Sequence, residues 1–184
     1  MKQCLVAGLL VIGACVVVPE RGPQPPAVLV TAKAEYRAAW LSYYKCDESN
    51  VDFLVKKGWH YDDISVGLFL AHRSGKTVQD IELRRVAGYS WWKVMEHIKL
   101  DVMTLHTKVP DSLKIGPPYG NAYGYFRKQD ATYLMTDEDV RNLVHLKVMT
   151  EHHGLDAALV IDHRGRGRTF NDLYKEHHDK GKGK

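Results

Sequence analysis

Cysteine is scarce in this chain: three stand among 184 residues, at Cys4, Cys15 and Cys46. That excludes a disulfide-dense scaffold and a clustered-cysteine zinc site. A membrane-spanning run is missing as well. The uncharged apolar stretch from Cys4 to Val18 is shorter than the ~20 residues a spanning helix needs at about 1.5 Å each. Catalytic signatures are lacking: there is no Gly-x-Ser-x-Gly and no His-Glu-x-x-His. Aspartates and glutamates fall mostly at helix starts, where capping accounts for them. No catalytic residue, metal ligand or cofactor is therefore assigned. Hydrophobic residues at 45% and charged residues at 26% exclude wholesale disorder. The net charge of +4 permits contact with anionic surfaces without demanding nucleic acid.

What is present begins with an export pattern. Met1-Lys2-Gln3 gives a short positive region, the apolar run follows, and Pro19-Glu20-Arg21-Gly22-Pro23 halts it. Within the run, Ile12-Gly13-Ala14-Cys15 resembles the lipobox of bacterial lipoproteins, in which an aliphatic and two small residues precede the cysteine that is lipidated. The resemblance implies removal of residues 1–14 and a lipid on Cys15, with the membrane as partner through that lipid. Cleavage near Ala14, or later at Ala32-Lys33-Ala34, is the other reading. Either way Cys46 is left alone, with no intramolecular disulfide. The implied address is the bacterial cell envelope, periplasmic or anchored at the outer membrane. Residues 15–33 hold a proline-rich segment and read as a stiff tether of roughly 3.1 Å per residue.

From Ala34 the pattern is helical. Tyr36, Trp40 and Tyr43 share one face. Ser49 with Asp52 reads as a capping box, as do Thr77 with Asp80, Thr136 with Asp139 and Thr169 with Asp172. Asp62 or Asp63 opens another helix and Ser90 a further one; Gly58, Gly75, Gly88 and Gly154 are stops. Leu155 to His163 reads as one more short helix. Val109 to Tyr133, rich in turn residues and aromatics, reads as a long loop. The expected fold is all-α. A first helical unit (34–104) and a second (136–178) pack together, joined by an aromatic Gly/Pro-rich loop (105–135) and followed by a basic tail (179–184).

An internal repeat supports two units. His72-Arg73-Ser74-Gly75-Lys76-Thr77-Val78-Gln79-Asp80-Ile81 aligns, after one insertion, with His163-Arg164-Gly165-Arg166-Gly167-Arg168-Thr169-Phe170-Asn171-Asp172-Leu173. Ser74-Gly75-Lys76-Thr77 is no phosphate loop, because Leu70 stands where such a loop needs its first glycine. Short helices meeting at glycine turns resemble the helix-turn-helix arrangement. That likeness implies an alternative, a DNA-binding regulator reading a groove with Gln79, Arg84 and Arg85. Export argues against it, so nucleic acid is not the expected partner. The paired histidines (His152-His153, His177-His178) do not suggest a metal, since neighbours on a helix point about 100° apart. The candidate partner-binding residues are those of the aromatic loop: Tyr119, Tyr123, Tyr125, Phe126 and Arg127. They suit an envelope protein or a glycan, or else they roof the core against Trp91 and Trp92. The function expected is a non-catalytic binding or structural module.

Overall fold

A computed structural model describes residues 34–128, 132–173 and 176. The expected leader, Cys15, the tether and the basic tail lie outside the described residues. Every regular element described is helical. In chain order these are α1 (Ala34–Tyr44), α2 (Glu48–Lys56), α3 (Tyr61–Ser74), α4 (Val78–Val86), α5 (Trp91–His97), a 3-10 turn (Val102–Leu105), α6 (Gly120–Lys128), α7 (Asp137–Glu151) and α8 (Ala157–Gly165). Residues 170–173 begin a further helical stretch. No described helix is long and apolar enough to cross a membrane.

The two longest helices, α3 and α7, pack on each other and form the centre. Every residue from Ile64 to Ala71 is buried, as is every residue from Asn142 to Met149. Neighbours cover nearly every face of these stretches, and α7 buries the polar Asn142, His145 and Lys147 along with its apolar residues. Burying Leu68, Phe69, Leu143 or Leu146 contributes roughly 1.5–3 kcal/mol each relative to exposure. The buried hydrophobic side chains of the helices join into one cluster, from Ala39 to Leu173.

Two carboxylates stitch the helices across that core. Asp63 on α3 accepts from Trp91 Nε1 at 2.9 Å and from Arg141 Nε at 2.7 Å. Asp137, in the first turn of α7, accepts from the Trp91 amide at 2.6 Å and lies 2.8 Å from Arg85 Nη2. The Arg85 guanidinium also sits over the Trp91 ring, 4.3 Å from its centroid.

The helix starts largely follow the sequence. Thr77 and Thr136 each close a reciprocal box with the aspartate three residues on. Thr169 and Asp172 make the same three bonds. The repeat is thus real as local geometry, with Gly75 and Gly167 both at positive φ. Three expectations need correction. The box at Ser49 does not form: α2 begins at Glu48 behind Asp47, which makes no side-chain cap bond. The cap of α3 is His60, whose Nδ1 accepts from the Asp62 amide at 3.4 Å, so Asp62 and Asp63 occupy the first turn instead. The supposed loop 105–135 contains α6. Tyr119, Ala122, Tyr123 and Phe126 fall at helical spacing and are buried together, and that burial outweighs the low helix propensity of Gly120 and Gly124.

Candidate functional site

Among the residues singled out for partner binding, Tyr119, Tyr123 and Phe126 belong to the core. Their rings meet edge to face, and His106 packs on Phe126 at 4.8 Å. Burial pushes the Tyr119 and Tyr123 hydroxyls well above the usual tyrosine range. Tyr125 is half-buried and meets Trp92 edge-on at 5.9 Å. Arg127 is exposed, and its guanidinium donates to the Leu113 carbonyl. The aromatic cluster therefore roofs the core; a partner could not reach three of its five members without opening it.

The arginines expected to read a DNA groove are engaged within the fold. Arg84 donates to the Asp80 carbonyl and Arg85 is held by Asp137 and Trp91. In the second copy of the repeat, Arg166 pairs with Asp162 and Arg168 with Glu176. Arg166 is nonetheless largely exposed, as is Gln79, the third residue of that reading.

A different place concentrates polar groups. A cleft of about 350 Å³ opens between the start of α3, the first half of α7 and the turn that follows α8. Its α7 wall carries Glu138, Arg141, Asn142 and His145, which lie at helical spacing along one stripe. The opposite side is formed by Trp40, His60, Tyr61 and Asp62. Arg164, Thr169, Phe170 and Asn171 complete it.

The floor is rigid. His145, 2% exposed, stacks on Phe170 with ring centroids 4.6 Å apart and planes at 20°. Its Nε2 lies 3.2 Å from Asp62 Oδ1 but is not aligned for a hydrogen bond. On the other carboxylate oxygen of Asp62, His60 Nδ1 stands at 3.4 Å. Asn142 is the hinge between two charges: Arg164 Nη2 donates to its Oδ1 at 2.9 Å, and its Nδ2 donates to Glu138 Oε1 at 3.0 Å. Arg164 also donates to the Arg168 carbonyl and lies 4.5 Å above the Phe170 ring. Burial works against the charge of Arg141, yet its bonds to Asp63 hold the guanidinium above even its ordinary pKa.

No protein-family model, curated protein or solved structure matches this chain. The cleft must be read from its own chemistry. Among the described residues, no group of three or more His, Cys, Asp or Glu is arranged to hold a metal ion. The Thr169 hydroxyl donates to Asp172 as part of its cap, so it is not set up as a nucleophile on His145. What the arrangement offers is a recess on rigid helices with donors and acceptors converging on it, the usual form of a small-molecule site. The sequence carried one sign of it. Glu138, Arg141, Asn142 and His145 make a polar stripe at i, i+3, i+4 and i+7, beside the apolar one.

Proposed function

We propose that this chain is a non-catalytic binding module of the bacterial cell envelope, exported by its N-terminal segment and held at a membrane by lipid on Cys15. The observation that carries the binding part is the cleft, on which charged groups of α3, α7 and α8 converge. Charged groups held facing a recess on packed helices cost stability, and binding is the use that offsets the cost. The export part rests on the lone Lys2, the uncharged run to Val18, the prolines that follow and the match of Ile12 to Cys15 to a lipobox. A lipid anchor is physically sufficient, since each buried methylene contributes about 0.8 kcal/mol and two or more chains give a stable hold. The proline-rich segment suits a tether between anchor and folded domain.

The test is metabolic labelling with a fatty acid, followed by fractionation, for the native chain and Cys15→Ser. The native chain is expected to take up label and sediment with membranes, and the variant to lose the label. An unlabelled native chain in the cytosol, with Met1 or Lys2 still present, would overturn the envelope reading.

A further inference from the structure

The two copies of the repeat place their shared arginine in different surroundings. In the first copy, Arg73 stands 5.5 Å over the Phe69 ring and its Nη2 meets the Glu151 carboxylate at 3.1 Å. In the second copy, the matching Arg164 stands 4.5 Å over the Phe170 ring, but among the described residues no carboxylate lies within ion-pair distance of it. Arg164 is partly buried and fixed, with two of its five N–H groups used by Asn142 and Arg168. Its Nε is buried with no aligned hydrogen-bond acceptor, and the buried Tyr119 hydroxyl, which interacts with this guanidinium, supplies no negative charge. A guanidinium so placed lacks the anion that ordinarily compensates its desolvation.

The nearest acid along the hydrogen-bond chain is Glu138, and the Asn142 amide stands between the two. Arg164 reaches one end of that amide and Glu138 the other. Glu138 Oε2 also stands 3.7 Å from Arg141 Nη1, so the wall sets two guanidiniums, Arg141 and Arg164, beside the Glu138 carboxylate. Asp62, also in the wall, extends the acidic side. An anionic ligand would satisfy Arg164 but meet two carboxylates. A cation would approach Glu138 and Asp62 but meet both Arg141 and Arg164. A neutral sugar would offer no counter-charge to Arg164.

We propose that this cleft binds a small zwitterion, its carboxylate on Arg164 and its ammonium at Glu138. The volume, about 350 Å³, is at the small end of ligand sites and suits a free amino acid or a dipeptide. Tyr61 lines the cleft beside Trp40 and offers ring surface to the side chain. The inference rests on the reading of this domain as a binding module and names the ligand class of its cleft.

The experiment is calorimetric titration of the full chain in detergent micelles, with tryptophan emission as a second readout because Trp40 lines the cleft. The probes are L-alanine, the dipeptide Ala-Ala, N-acetylalanine (anion only) and alanine amide (cation only). Saturable binding of alanine or Ala-Ala, and much weaker binding of both singly charged probes, is the expected result. Whichever zwitterion binds more tightly identifies a free amino acid or a peptide as the source. Arg164→Gln also removes the Phe170 stack, so the decisive variant is Glu138→Gln, whose side chain is 62% exposed. It is expected to weaken zwitterion binding about tenfold with only a small drop in the melting midpoint, since an exposed first-turn charge of α7 contributes little to stability. Equal binding of a singly charged probe, no saturable binding of either zwitterion, or an unaltered Glu138→Gln variant would overturn the proposal. None of these outcomes bears on fatty-acid labelling, so the anchoring reading stands or falls separately.

Discussion

Burial, helped by the Lys147 ammonium, holds the His106 imidazole below its ordinary titration range. Lys147 Nζ donates to the His106 carbonyl at 2.9 Å, and the ring faces Tyr123 and Phe126. An unfolded chain takes up a proton here near pH 6.5, whereas the folded chain resists it. The stabilisation is thus complete above that pH and is lost as pH falls through the depressed folded value. Thermal midpoints measured from pH 7 down to about 5 should fall, and the fall should be shallower for His106→Gln. Equal slopes in the two proteins would show that His106 titrates as readily folded as unfolded. At this scale the sequence was partly legible. The Thr77, Thr136 and Thr169 caps could be read because each bond spans three residues. Arg164 could not, because its significance is the lack of a carboxylate beside it, and neighbours in space are not neighbours in sequence.

Among the elements, α3 shows how packing reverses an intrinsic preference. Gly67 lies in its interior, where alanine ordinarily stabilises a helix by roughly 0.5–1 kcal/mol. A Cβ there would stand 2.8 Å from Trp59 Cζ3, and Trp59 in turn meets Trp91 edge-on at 5.5 Å. Two indoles would have to move, and overpacking of this kind costs about 1–3 kcal/mol. Gly67→Ala should therefore lower the urea midpoint at unchanged slope and alter tryptophan emission. A raised midpoint would show that Trp59 yields without penalty. The same competition explains α6. Two glycines and two preceding prolines argued for a loop, while the burial of Tyr119, Tyr123 and Phe126 against their neighbours decided for a helix.

For the whole molecule, the single hydrophobic cluster bears on independence of the two repeated units. Val66 and Leu70 on α3 are wholly buried in the same cluster as Val144 and Val148 on α7, and Asp63 reaches Arg141 across the helices. Each unit alone would expose that face, and chains near 40–70 residues have little core to spare. Fragments 34–104 and 136–178, prepared separately, should show weak helical dichroism and no cooperative melting, with structure recovered on mixing. A cooperative transition in either fragment alone would show that unit to be self-sufficient.

What the amino-acid order determined by itself is the all-helical class, most helix boundaries, the glycine turns and the repeat of a capped turn. These depend on contacts within about four residues, where chain connectivity already fixes the distances. Only the tertiary structure decided that the aromatic segment is a core helix, and that Glu138, His145, Asp62 and Arg164 share one cleft. Arg141 and Asp63 are separated by 78 positions, and nothing in the local order ties them. Their meeting follows from how α3 and α7 bury their apolar faces, a cooperative property of the packed whole.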